Sequence, residues 1–308
     1  MEKRLLYVVV REWMRDFKKN SVKAHTYDRL EISCRLMEKY RIAGYPVNEI
    51  KAIDIQRYLN RLVEDGYALS TVKKQLTLIS AYMKHAFSQG DISTPVYLAV
   101  KLPSEESVAR KAKGVEIYSP YEQRRLIDIL ETLEHRSYGA VLLMLETGLR
   151  VGEVLSLTWT DIDIRRRALH VGKTIVRLSS EPVSFVQQSA KTRTSSRTIP
   201  LSDRAIDILE RLAEECSDGF VFYMKHDPFT PGSYSSLRFF TERACREAGI
   251  EYKGMHVFRH TFASNCYGRG CDVKILSKFL GHADVAITYN TYIHLFGNDL
   301  EEMRKVLG

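Results

Sequence analysis

The chain has little of what most readily declares a protein class. Its five cysteines (Cys34, Cys216, Cys245, Cys266 and Cys271) are widely spaced, odd in number and form no CxxC pair. That usage reads as reduced cytosolic thiols and offers no disulfide framework. No apolar run approaches the roughly 18 to 20 residues that a membrane span needs. Arg11 and Glu12 interrupt the run Leu5 to Val10 before it reaches the length of a secretory signal. A cytoplasmic protein without membrane association is therefore expected. Neither GxxxxGK[ST] nor GxGxxG occurs, so nucleotide hydrolysis has no support, and no GxSxG elbow marks a serine nucleophile. HExxH is absent, and although His256 and His260 form an i,i+4 pair, Cys266 and Cys271 fit no common zinc spacing. Neither a metal nor a cofactor is expected.

What is present is an ordinary globular composition on a basic background. A length of 308 residues favours two domains, and 44% hydrophobic with 27% charged residues is typical of soluble proteins. The net charge of +8 and pI near 9.1 permit a polyanionic partner without requiring one. The first hundred residues carry apolar positions at three- and four-residue spacing, predicting helices over Val8 to Phe17, Lys23 to Tyr40, Ile53 to Glu64 and Ser70 to Ser88. In the third, Ile53, Ile55, Tyr58, Leu59 and Leu62 make one stripe that Gly66 ends. Ser70 is the expected N-cap of the fourth and Gly90 its terminator. Lys73, Lys74, Lys84 and His85 would project from it, as a DNA-facing edge or as a merely solvated face.

Periodicity stops between Pro103 and Gly114, where Arg110, Lys111 and Lys113 make a polar, basic linker. Ser119-Pro120-Tyr121-Glu122 then opens a new domain with a capping box and a proline in the first turn. Helices continue to about Leu157 with a break at Gly148. After Asp163 short strands are expected at Ala168 to Val171, Val183 to Val186 and Arg197 to Leu201, and helical periodicity returns from Ser202. The domain layout is thus 1–104, a linker over 105–117, and 118–308: mainly α, a small all-helical domain followed by a larger α+β domain with one small antiparallel sheet.

Three segments carry chemistry. The strand region is of one sign, with Arg165, Arg166, Arg167, Lys173, Arg177, Lys191, Arg193 and Arg197 against the single acid Glu181. Lys191 to Ser196 would form a basic turn that fits a DNA groove, Arg193 and Arg197 contacting the duplex, unless it is a solvated hairpin. Arg150 follows the Gly148 break at a helix start, and Glu153, three residues on, could hold its side chain or form a simple surface pair. His256 and Arg259 share a helical face while Phe258 and Phe262 point to the core. Two arginines grip phosphate oxygens through planar forks and offset the extra charge of a pentacoordinate phosphorus without metal. Tyrosine, with a pKa near 10, needs a base or cationic surroundings to become a nucleophile. Histidine suits the base, and lysine can protonate a leaving 5′ oxygen.

In their order, these segments resemble the tyrosine recombinase (phage integrase) family over nearly the whole chain. Thr147-Gly148-Leu149-Arg150-Val151-Gly152-Glu153 with Leu157-Thr158-Trp159-Thr160-Asp161 is similar to its first arginine box, and Ala190-Lys191-Thr192-Arg193 followed by Arg197-Thr198-Ile199-Pro200-Leu201 to its lysine hairpin. His256-Val257-Phe258-Arg259-His260 matches the HxxRH box and Leu280-Gly281-His282 the LGH box. The resemblance implies a SAM-like core-binding domain and a catalytic domain that together clamp double-stranded DNA. It gives Arg150 and Arg259 to the scissile phosphate, His282 as a further hydrogen-bond donor, Lys191 as general acid, and His256 as general base or phosphate contact. It further implies self-assembly to a tetramer on two sites, accessory DNA-bending factors, and a C-terminal helix (Leu300, Met303, Val306, Leu307) that docks on a neighbour or folds back. A type IB topoisomerase-like relaxase or a catalytically silent DNA-binding protein on the same fold are the alternatives.

Two departures stand out. The arm-binding domain that precedes the core-binding domain in many larger integrases has no counterpart in these residues. The nucleophile of many relatives lies nine residues after the LGH histidine, where this chain has Thr291; Tyr292 lies ten after it, as in integrases of Gram-positive mobile elements. Tyr292, followed by Ile293 and His294, is the expected nucleophile. Tyr289, at helical spacing from Val285, is expected in helix packing.

Overall fold

The computed structural model describes residues 4–104, 106, 114–133, 135–176, 185–188, 196–224 and 227–292, with the backbone alone for 185–188 and 292. These residues fall into two compact units that divide between residues 113 and 114. Among them, no helix is long and apolar enough to cross a membrane.

The first unit is helical. It comprises α1 (Leu6–Trp13), continued by a π-helical turn (Met14–Lys18), then α2 (Ala24–Glu38), α3 (Ala52–Glu64) and α4 (Leu69–Gln89). Leu6, Val9, Val10 and Trp13 of α1 pack with Leu59 and Leu62 of α3 and Leu78, Ile79 and Met83 of α4 in one core. The α3 stripe is buried from Ile55 to Leu62, but Ile53 is 50% exposed. Two residues before Ile55 it lies about 200° round the helix, so it faces outward. Helix α4 starts one residue before Ser70 with Ala68 as its N-cap, so Ser70 caps nothing; Gly90 is the C-cap, as expected. Lys73, Lys74 and Lys84 are exposed. His85 does not project freely: its ring lies 4.4 Å from Phe17 and 6.2 Å from Trp13. Inside, Tyr58 donates to Gln75 Oε1 at 3.0 Å and Gln75 Nε2 to the Ser33 carbonyl at 3.1 Å, so these buried polar groups find partners within the helices.

The second unit is built round α6 (Arg136–Thr147), preceded by α5 (Pro120–Thr132) and followed by the short α7 (Val151–Leu155). Both halves of the expected capping box form at α5: Glu122 N–H donates to Ser119 Oγ at 3.3 Å and Ser119 N–H to Glu122 Oε2 at 2.7 Å. Strands β1 (Ile162–Asp163), β2 (Ala168–Val171), β3 (Lys173–Val176), β4 (Phe185–Gln188) and β5 (Arg197–Pro200) follow. β1, β2 and β5 make one antiparallel sheet with Leu169 opposite Ile199 and Val171 opposite Arg197, while β3 and β4 pair separately. The strand expected from Val183 is described from Phe185, its first residues lying outside the described ones. β3 was not expected, because four residues that are all partly buried show no alternation.

Then come α8 (Asp203–Glu215), the hairpin β6 (Tyr223–Met224) and β7 (Asp227–Pro231), and α9 (Tyr234–Glu247), α10 (Met255–Gly268), α11 (Val273–Leu280) and α12 (Val285–Tyr292). Helix α6 is apolar on every side from Ala140 to Leu145 because α8, α9 and α10 all pack against it. It ends at Gly148, whose φ of 64° lies in the left-handed region. A Cβ there would stand 2.4 Å from the Phe262 ring, so α6 and α10 approach closely at this point. Gly148→Ala therefore combines backbone strain with a steric clash. It should lower the unfolding free energy by about 2 to 4 kcal/mol, read from denaturant titration.

Candidate active site

The site is organised round a buried carboxylate. Arg150 is the N-cap residue of α7, and its backbone N–H donates to Glu153 Oε2 at 2.9 Å. The same arginine donates from Nη1 to Glu153 Oε1 at 2.9 Å. From β5, Arg197 closes a second fork on the same group, Nη1 to Oε1 at 3.1 Å and Nη2 to Oε2 at 2.9 Å. Glu153 is 5% exposed. Burial alone would raise its pKa, but the hydrogen bonds and charge of Arg197, joined by Arg150, hold it down at about 2. Arg150 itself keeps a side chain 38% exposed, and its outer Nη2 has only a long contact, 3.4 Å, to the Gly281 carbonyl. One arm of its guanidinium thus remains turned toward whatever enters.

Arg259 comes from the middle of α10 and is 1% exposed. Its Nη1 donates to the Gly148 carbonyl at 2.9 Å and its Nη2 to the Leu280 carbonyl at 2.6 Å. Nη2 also lies 2.9 Å from His282 Nε2. A guanidinium only donates, so Nε2 accepts and the neutral ring carries its proton on Nδ1. That Nδ1 lies 2.7 Å from Thr288 Oγ1 on α12. Partial burial, then the cations of Arg259, Arg150 and Arg197, lower the His282 pKa to about 4, so the ring is neutral at pH 7. His256 is solvent-exposed, yet the protein round it and the Arg259 and Arg150 charges still lower its pKa. His260 stands edge-on to it at 4.9 Å and is lowered to about 4 by burial and by His256 and Arg259. Two guanidinium groups, of Arg150 and Arg197, share the Glu153 carboxylate, while Arg259 is held by carbonyls and a neutral histidine, which leaves an excess of positive charge suited to an anion.

Arg150, Glu153, His256, Arg259 and His282 are therefore brought together. Lys191 and Arg193 lie outside the described residues, as do Leu300, Met303, Val306 and Leu307. Tyr292 is the last residue of α12, whose backbone places it one turn beyond Thr288. Two expectations change. Arg197 is not a DNA contact: at 8% exposure its fork is taken by Glu153 and its Nε by the Phe279 carbonyl at 2.6 Å. Tyr289 is not packed: it is 53% exposed, because α12 turns its Thr288 side inward. Among the described residues, no group of three or more His, Cys, Asp or Glu side chains could hold a metal ion.

Sequence reasoning missed what Arg197 and Thr288 do. For Arg197 a signal existed, since strand alternation puts it on the same face as buried Ile199. Nothing in the local pattern distinguishes Thr288 from Thr291.

The model described as the phage integrase family matches residues 118–298, more than half of the chain. A tyrosine recombinase XerC-like protein of Caldanaerobacter subterraneus is 28% identical over 309 aligned positions, covering 92% of this chain and 77% of its own. The ICEBs1 integrase of Bacillus subtilis is 24% identical over 273 positions, covering 83% and 70%. Among solved structures, the Tn1549 transposon integrase in complex with transposon right end DNA superposes with a TM-score of 0.83 at 20% identity, covering 99% of this chain and 100% of that one. A lambda integrase tetramer bound to a Holliday junction gives 0.70 at 17% identity, covering 94% and 78%. At such identities these structures speak for the fold, mainly helical with small antiparallel sheets. The extent of the family match speaks for more: this chain belongs to the phage integrase family, the tyrosine-type site-specific DNA recombinases.

Proposed function

We propose that the chain cuts and rejoins double-stranded DNA at specific sites through a 3′-phosphotyrosyl intermediate, using neither metal nor ATP. The observation that carries this reading is the cationic pocket round Glu153, in which Arg150 stays accessible while Arg197 and Arg259 are buried. Tyr292 Oη attacks the scissile phosphorus, its proton passing to His256. The bond from phosphorus to the 5′ oxygen breaks and Lys191 protonates that oxygen. Attack by a 5′ hydroxyl then reverses the step, releasing the tyrosine and conserving the phosphodiester bond energy. Arg150 grips a non-bridging oxygen, and Arg259 adds its charge from behind. His282 holds Arg259 through Nε2. The donation to phosphate that the family resemblance implies for His282 would need Nε2 to release Arg259 and gain a proton.

In this reading the small N-terminal domain and the catalytic domain clamp the duplex, with Lys73, Lys74 and Arg193 on phosphates. Four copies act on two sites, aided by accessory DNA-bending factors. Such an assembly fits a fold shared with lambda integrase, whose tetramer is bound to a Holliday junction.

Three outcomes test the reading. On a nicked suicide substrate, Tyr292→Phe should abolish covalent protein–DNA adducts with specific binding intact, whereas Tyr289→Phe should keep forming them; adducts that persist in the first variant and vanish in the second would reassign the nucleophile. Glu153→Gln leaves the buried Arg197 fork and the Arg150 guanidinium without their counter-charge. Cleavage should fall at least tenfold and stability by about 3 kcal/mol or more, read by gel assay and denaturant titration. The third concerns pH. His256 must be unprotonated to accept the tyrosine proton, and its folded-state pKa lies below the usual value of about 6.5. Cleavage kcat/KM should therefore hold level down to about pH 6.5 and fall only below it, an acid limb lost in His256→Gln.

A further inference from the structure

Helix α12 is held to the rest of its domain in an unusual way. Val285, Ile287 and Tyr289 are 38%, 47% and 53% exposed, and Ala286 and Asn290 are exposed as well. Among its described side chains the one that is buried is Thr288, at 1% exposure. A helix docked by apolar contact would bury a stripe of several residues; this one buries a hydroxyl.

That hydroxyl meets a specific partner. His282 Nδ1 lies 2.7 Å from Thr288 Oγ1, while His282 Nε2 receives the Arg259 guanidinium at 2.9 Å. Because the arginine can only donate, Nδ1 bears the ring proton and Thr288 accepts it. The contact therefore does two things. It sets the tautomer in which Nε2 offers its lone pair to Arg259, and it pins α12 to the pocket one turn before Tyr292. In metal sites a second hydrogen bond to the ring fixes the orientation and tautomer of a liganding histidine, and the same logic applies to a histidine that orients an arginine.

We infer that Thr288 is a positioning residue, a hydroxyl latch that joins the helix carrying Tyr292 to the phosphate pocket through His282 and Arg259. The inference rests on the proposed recombinase reading only for its catalytic consequence; the latch itself is a property of the DNA-free protein. Removing the hydroxyl while keeping the shape leaves a buried Nδ1–H without an acceptor. It also breaks the side-chain hydrogen bond by which α12 meets His282.

The test uses the full chain with Thr288→Val and Thr288→Ser. In the DNA-free protein, 1H–15N NMR should show a slowly exchanging imidazole Nδ1–H, identified by its loss in His282→Gln. It should persist in Thr288→Ser and vanish in Thr288→Val. On the suicide substrate, Thr288→Val should slow single-turnover cleavage by roughly 10- to 100-fold with DNA affinity unchanged, the size expected of a small misplacement of reacting groups. Thr288→Ser should recover to within about threefold, consistent with a retained acceptor. Cleavage by Thr288→Val at the parental rate overturns the latch, as does a parental protein whose Nδ1–H exchanges freely. Failure of the recombinase reading looks different: no adduct forms in any variant, while the protected Nδ1–H still reports the latch.

Discussion

The carboxylate of Glu153 is the interaction on which the rest of the site depends. Desolvating an ion pair costs several kcal/mol per charge, and attraction offsets that only when the remaining lone pairs are also satisfied. Here they are. Oε1 takes one donor from Arg150 and one from Arg197, and Oε2 takes the Arg150 backbone N–H and the second arm of Arg197. A carboxylate has about four acceptor positions, so all are used. The group can therefore stay ionised where burial alone would protonate it. Through it α7 and β5 are tied together, and the Nε of Arg197 on the Phe279 carbonyl adds the end of α11.

That arrangement also divides the arginines by role. Arg197 and Arg259 are buried and committed to protein acceptors, while Arg150 alone of the three leaves part of its fork exposed. Two buried cations fix the field, and a third, held by one arm and one backbone bond, keeps the most exposed guanidinium of the three. Preorganised charge of this kind acts without reorganising at the moment of reaction, which is the largest advantage a protein has over water in stabilising a phosphorane-like state. The neighbouring histidines follow from the same field. Burial first, and then the neighbouring guanidinium charges, keep His282 and His260 neutral and push His256 in the same direction.

Much of this was legible in the residues. Helix boundaries in the first unit followed from apolar spacing, and the α5 start from Ser119 and Glu122, because these signals are local. Arg150, Glu153, His256, Arg259 and His282 followed from three short motifs whose residue types make one chemistry. What failed were statements about direction. Ile53 was counted in a stripe it cannot join, Arg197 was read as a surface charge, and Tyr289 as packing. Each depends on which way a side chain faces, set by neighbours far along the chain: Glu153 is 44 residues from Arg197. The hydrogen bonds of Arg259 to Gly148 and Leu280 likewise join segments that no local pattern connects.

Tyr289 and Tyr292 show most clearly what the fold adds. By periodicity the two were equivalent. In the fold, the inward face of α12 is defined by Thr288, and the residue after it necessarily points about 100° away, which puts Tyr289 in solvent. The residue four positions after Thr288 returns to nearly the same face, one turn nearer the C-terminus, and that residue is Tyr292. Helix α6 is buried on every side and cannot shift without disturbing the domain core. Among the described side chains of helix α12 only Thr288 is buried, so its local stability rests on few described contacts. A helix held by so few described buried groups, beside a pocket whose arginines are fixed by protein acceptors, leaves its last turn freer to move than the pocket it adjoins.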